Sequence, residues 1–180
     1  CYFLLNKFDS TIITANKILS FEKIDENTTE KALYLLAKSL LQNSNSGQAI
    51  EEFKKLTNAK NTEYASEAQY TLAEIQYNNK NLEESEKIIL EITSNPSSEY
   101  WLAKAFILWA DIFKQRGNKI QAKQTLQSII ENYEGDESII KLAQDKLDEI
   151  NNKQTQEQKL QEQKLQEQKE AVDEITIENK

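Results

Sequence analysis

The 180-residue chain contains no histidine and no methionine, one cysteine, one proline and three glycines. Without histidine it lacks the side chain that most often serves as general base or metal ligand near neutral pH. The lone cysteine cannot close an internal disulfide and says nothing of redox compartment. Glycine and proline this scarce, with few alternating β-branched runs, argue against sheet and for an all-helical chain. No glycine-rich phosphate loop is present. No apolar run approaches the ~20 residues of a membrane-spanning helix, and the opening CYFLL is too short for the core of a signal peptide. Cations are outnumbered, 22 Lys and Arg against 30 Asp and Glu, for a net charge of −8. Neutralising nucleic-acid phosphates needs clustered cations that acids do not offset, so nucleic acid is not an expected partner. The missing methionine leads us to expect a processed product or an excised segment.

What the chain has instead is a repeated hairpin pattern. Residues 70–92, YTLAEIQYNNKNLEESEKIILEI, read as two amphipathic helices joined by the polar turn Asn78-Asn79-Lys80-Asn81. Small residues stand at Ala73 and Ser85, with Leu72, Ile88, Ile89 and Ile92 on the faces that would meet. The arrangement appears upstream as Leu36, Ala37, Ala49, Phe53 and Leu56, and downstream as Trp109, Ala110, Ala122, Leu126 and Ile129. Ala37 and Ala73 are 36 residues apart and Ala73 and Ala110 are 37 apart, a period that belongs to stacked helical hairpins.

These positions resemble the tetratricopeptide repeat. Leu36-Ala37, Leu72-Ala73 and Trp109-Ala110 match its large–small pair on the first helix; Ala49, Ser85 and Ala122 match the small position of the second, and Phe53, Ile89 and Leu126 the large one. Small residues let helix backbones approach closely while large ones fill the space between hairpins. The pattern departs where proline is expected, since only Pro96 comes close and Asn61 and Glu134 stand in the corresponding region. The first-helix aromatic position holds Leu40 and Phe113 but also Gln76. The resemblance implies an all-α, right-handed superhelical solenoid of antiparallel hairpins with a C-terminal capping helix and a polar tail.

Three segments follow. Residues 1–20 form a partial repeat, with 1–5 as the tail of one helix and Phe8–Leu19 as the second helix of that hairpin. Residues 21–150 hold three full hairpins and a capping helix over 136–150. Helix starts are expected at Asn27-Thr28-Thr29-Glu30 and at Ser46, and Gly117 suits a left-handed stop. Residues 151–180 are a Gln/Glu/Lys-rich tail, helical or disordered, in which period-five QEQKL units make no coiled-coil seam. Glu174 to Glu178 alternate in polarity like a short strand or an unstructured end. Beginning partway through a repeat favours a fragment of a longer array; the competing reading makes Cys1 the acylated first residue of a bacterial lipoprotein, although Tyr2 to Leu5 are apolar where a polar tether is usual.

No catalytic residue, cofactor or metal site is indicated, and acidic pairs such as Glu83-Glu84 read as solvated helix starts. Binding of another protein is better supported. In arrays of this family the first helices line a concave surface, and carrying that face over selects Tyr34, Lys38 and Leu41, then Tyr70, Glu74 and Tyr77, then Ile107, Asp111 and Lys114. Tyr34, Tyr70 and Ile107 would form one row; rings bury large area at low entropy cost while adjacent charges set register. The alternative is that Tyr34 and Tyr70 pack between hairpins. Lys31, Lys38, Lys104 and Lys114 face Glu67, Glu74 and Asp111 in this map, giving a groove of mixed charge without the basic cluster that a peptide C-terminus would need. Trp109 takes a core position, whereas Tyr100 and Trp101 open their helix and could be partly exposed, with packing against the preceding hairpin favoured over ligand contact.

The resulting expectation is a non-enzymatic scaffold for protein partners. The third hairpin is similar to those of repeat proteins in bacterial cell envelopes, which points to the periplasm or outer-membrane periphery, with assembly, secretion or gliding complexes as settings and the cytoplasm as the alternative. Two other roles stay open: a structural subunit packing through its terminal repeats, and the regulatory C-terminal part of a larger cytoplasmic protein.

Overall fold

A computed structural model describes residues 2–178. A 3₁₀ turn at Phe3–Leu5 leads into α1 (Phe8–Leu19), α2 (Glu26–Gln42), α3 (Ser46–Leu56), α4 (Thr62–Asn78), α5 (Leu82–Ser94), α6 (Glu99–Gln115), α7 (Lys119–Asn132) and α8 (Glu137–Glu178). Among the described residues there is no strand. Each helix packs on its neighbour in sequence, α6 also touches α4, and α8 lies across α7 and α6. The result is an all-helical solenoid of antiparallel hairpins, α2–α3, α4–α5 and α6–α7, with α1 before them and α8 after.

The repeated small residues set the helix spacing. Ala37, Ala73 and Ala110 on the first helices, and Ala49, Ser85 and Ala122 on the second, are all at most 1% exposed. Ser85 tolerates this because its hydroxyl donates to the Ala73 carbonyl at 2.8 Å and so is not itself left unpaired. The core is spread along the array: Leu40, Phe53 and Leu72 fill the first interface between hairpins, Ile89, Trp101 and Leu108 the second, and Leu126, Ile139 and Leu147 the contact with α8. A solenoid buries its apolar area between neighbours in this way.

Hairpin turns share one local device. At the end of α2 the amide of Asn45 bonds the Leu40 carbonyl and that of Ser44 bonds Leu41; Asn81 with Gln76 and Lys80 with Tyr77 repeat this after α4, and Asn118 with Phe113 and Gly117 with Lys114 after α6. These paired bonds satisfy the last carbonyls of the helix and require one left-handed residue. That residue is Ser44 (φ 59°), Lys80 (φ 66°) and Gly117 (φ 80°).

Helix starts differ from expectation in two places. Helix α2 begins before Asn27, with Asp25 as its cap, because that carboxylate accepts from the Thr28 amide at 2.9 Å and hydroxyl at 2.6 Å. Asn45, not Ser46, caps α3. Asn61 stands where proline was expected and does comparable work for α4, accepting from the amides of Glu63 and Tyr64. The buried Glu30 of α2 reaches the same turn and accepts from the amides of Lys60 (2.6 Å) and Asn61 (3.2 Å). One carboxylate thereby ties the first hairpin to the start of the second.

Ile139, Ala143, Leu147 and Ile150 bury one stripe of α8 against α6 and α7. The helix does not stop there but continues unbroken to Glu178. The alternating residues 174–178 are therefore helical and not a strand; no neighbouring strand supplies ladder bonds, whereas a helix satisfies its own backbone. No helix among the described residues is long and apolar enough to cross a membrane.

Candidate docking face

Helices α2, α4 and α6 each contribute 17 residues and present equivalent positions to one side of the array. The three expected rows lie on or just beneath this side, but not as one open groove.

The row of Tyr34, Tyr70 and Ile107 is covered by the element that follows. Tyr34 stacks on Tyr64 of α4 with ring centroids 4.4 Å apart. Tyr70, 7% exposed, lies 5.3 Å from the Trp101 ring of α6. Ile107, 4% exposed, is in the cluster that α8 completes. Ile107 is thus a core residue and not a groove surface, because a first helix leans on its successor along this line. Only the tyrosine hydroxyls reach outward, Tyr34 donating to Glu67 at 2.6 Å and Tyr70 to Glu74 at 2.9 Å. Burial first, and then the neighbouring carboxylate, push both phenols up, Tyr34 to about 12.

In the second row Lys38 and Asp111 are paired one repeat ahead, whereas Glu74 accepts from Tyr70 of its own helix. Lys38 reaches Glu67 at 2.7 Å and also the Tyr34 hydroxyl at 3.0 Å. Burial pulls the Lys38 ammonium down, but its bonds to Glu67 and Tyr34 outweigh that and raise it. Asp111 accepts from Lys146 of α8 at 2.7 Å. In the third row Lys114 pairs with Glu149 at 3.1 Å, and Leu41 and Tyr77 are half-buried at the rims of the first and second interfaces. Lys153 and Lys114 together hold the Glu149 carboxyl down at about 2.

Between the first and second rows a recess of 150 Å³ brings together Lys38, Leu41, Tyr70 and Glu74 with Glu67 and Lys104. Lys104 shares this recess with Glu67 and Glu74, as expected, but forms no ion pair with either. Its ammonium lies 4.4 Å from the Tyr70 ring centroid and 4.8 Å from that of Trp101, with no ion pair among the described residues. Trp101 is buried beside it, packed on the preceding hairpin, and donates its indole N–H to Glu63 at 2.6 Å.

Trp109 departs from its expected core position. It is only half-buried, stacked between Phe106 and Phe113 at 6.2 and 5.6 Å, and its indole N–H donates to Glu86 at 2.9 Å. Burial pushes the Glu86 carboxyl up, but the bonds from Trp109 and Arg116 hold it below the usual range. This ladder was missed in the sequence, where Trp109 matched the large core position; the unusual aromatic density of α6 was the available signal. Cys1, the acylation candidate, lies outside the described residues.

A solenoid of helical hairpins with an extended face of rings and charges is the architecture of a protein-interaction scaffold. Residues 99–135, spanning α6 and α7, match the tetratricopeptide repeat family. The third hairpin is a tetratricopeptide repeat, and the chain's fold is a helical solenoid of that type. No curated protein and no solved structure matches the chain.

Proposed function

We propose that this protein is a non-enzymatic docking scaffold that holds a protein partner on the face formed by α2, α4 and α6. The observation that carries this reading is the state of Lys104. Lys38 is matched to Glu67 and Lys114 to Glu149, whereas Lys104, in the same recess as Glu67 and Glu74, makes no ion pair among the described residues and lies against the Tyr70 and Trp101 rings. An acidic side chain of a partner would meet an ammonium already held against the Tyr70 and Trp101 rings, which lowers the entropy cost of the new pair. Tyr77 and Glu74 beside it supply a ring and a second polar contact. Protein is the fitting partner class, since a net charge of −8 repels phosphate backbones.

The setting we propose is a bacterial cell-envelope assembly, secretion or gliding complex, on the likeness of the 100–133 hairpin to repeat proteins found there. Crosslinking in native cells followed by mass spectrometry tests both parts. We expect envelope proteins crosslinked to the face between Tyr34 and Lys114, and Lys104→Glu to weaken capture about tenfold with an unchanged thermal melt. Capture indifferent to Lys104→Glu and to Tyr77→Ala would remove the face from consideration, and partners drawn only from the cytoplasm would remove the envelope.

A further inference from the structure

An open, largely apolar groove lies away from that face. On the side of the third hairpin opposite Lys104, a groove of 750 Å³ runs between α6 and α7. One wall is Leu102, Phe106, Trp109 and Phe113, spaced along a single stripe of α6. The other is a polar stripe of α7 that includes Gln124, Ser128 and Asn132. Leu102 and Trp109 touch the α5 cluster along one edge and Ala103 and Ile129 form the floor, while α8 packs beyond them on Ile107 and Leu126, so the α6 rings stay half-buried and the α7 stripe of Gln124, Ser128 and Asn132 stays exposed.

The ladder is particular to this hairpin. One period earlier the same stripe reads Ala65, Gln69, Leu72 and Gln76, and two periods earlier Thr29, Leu33, Leu36 and Leu40. The repeat pattern already calls for large residues at positions 109 and 113, so what is particular to this hairpin is the unbroken run of three rings on the stripe. The α7 wall does not read as packing: Gln124 makes no hydrogen bond among the described residues, and Asn132 uses only its amide nitrogen, on Ser128.

We propose that this groove is a second docking site, and that it takes an extended peptide segment of another protein in which apolar side chains alternate with polar ones and a basic residue stands at one end. Three features select that ligand. An extended strand has free N–H and C=O groups along its length, which the amides and hydroxyls of α7 can meet, whereas a helical ligand would leave that wall unpaired. Alternate side chains of a strand point to one side, so apolar residues two apart fall on successive rings of α6. From Leu102 to Phe113 the stripe is about 16 Å long, the reach of about five extended residues.

Charge chooses the ends. Glu99 and Glu134 lie together at the end where α6 begins, neither is paired among the described residues, and no cationic side chain lines the groove. A basic residue of the ligand belongs against them. Gly135 shapes that end as well: a Cβ there would stand 2.2 Å from the Tyr133 hydroxyl, so only glycine lets the Tyr133 ring lie across the mouth of the groove.

The test uses the full chain and short capped peptides alternating leucine with serine, with arginine at either end, glutamate in its place, or the same residues reordered onto one face of a stapled helix. The two tryptophan indole N–H resonances separate this site from the other face. We expect the arginine peptide to shift the Trp109 resonance and leave Trp101 in place, with the glutamate peptide about tenfold weaker. Charge reversal at the exposed pair, Glu99→Lys with Glu134→Lys, should exchange that preference, while Lys104→Glu should not affect it. A Trp109 resonance that stays put at millimolar peptide overturns the proposal. So do equal responses to both charges, tighter binding of the stapled helix, or a Trp109 resonance that broadens with protein concentration alone, which would make the groove a contact between copies of the chain.

Discussion

Single residues in left-handed conformation decide how each hairpin turns. Ser44, Lys80 and Gly117 hold equivalent places after α2, α4 and α6, and all three have φ between 59° and 80°. For a residue with a Cβ this conformation costs about 1 kcal/mol, which glycine does not incur. Ser44→Gly and Lys80→Gly should each stabilise the fold by about 0.5–1 kcal/mol, and Gly117→Ala should destabilise it by about 1 kcal/mol. Urea denaturation midpoints measure all three; a neutral Lys80→Gly would mean that its ammonium, 5.9 Å from the Tyr77 ring, contributes as much as the strain removes. Gly117 was readable as a stop because glycine announces a positive φ. Ser44 and Lys80 were not, since neither residue type carries that signal and the bonds made by the next amide impose it.

At the scale of elements, contacts one period apart bind successive first helices. Tyr34 and Lys38 of α2 share Glu67 of α4, Trp101 of α6 bonds Glu63 of α4, and Lys146 and Glu149 of α8 pair with Asp111 and Lys114 of α6. The tyrosines give these links a pH dependence. Tyr34 has its phenol raised from 10 to about 12, and that of Tyr70 is also raised, by burial and by Glu74. A raised folded-state value means the contribution is fully present below pH 10 and is lost as pH climbs through about 12, because the unfolded chain releases its proton first. Stability measured against pH should therefore fall from 10 upward, and absorbance titration should show these phenols ionising together with unfolding. Tyr34→Phe should cost about 1 kcal/mol at neutral pH and flatten the alkaline fall; a fall of unchanged depth would assign it to other groups. The sequence put Lys38 and Glu67 among the facing charges of one side, because a helical face and a fixed period suffice for that, and left their pairing to the structure. It could not place Asp111 and Lys114 against α8, since the capping helix departs from the repeat.

Across the whole molecule the core is a series of interfaces and not one centre, so damage should stay near its origin. Leu147 of α8 closes the last interface. Leu147→Ala should cost about 2–4 kcal/mol at that end, and hydrogen exchange should show lost protection in α6, α7 and the start of α8 while α2 and α3 keep theirs. Equal loss in every helix would indicate a single cooperative unit, and the solenoid description of its energetics would have to go. The same linear construction leaves each side of the array to carry its own surface. That is how a mixed-charge face around Lys104 and an aromatic groove around Trp109 can coexist on opposite sides of α6.

The sequence by itself determined the helices, the period and the small residues at which the hairpins touch. These follow from local periodicity and from side-chain volume, and both repeat along the chain. Tertiary structure alone decided the fate of residues whose surroundings depend on how far one hairpin leans on the next. Ile107 goes inside because α8 covers it, although its row begins at Tyr34. Trp101 packs on Tyr70 of the preceding hairpin, and Trp109 is left half-open although the repeat pattern gave it a core position. Side-chain type states how much area there is to bury, whereas the angle between neighbouring helices states which side has something to bury it against.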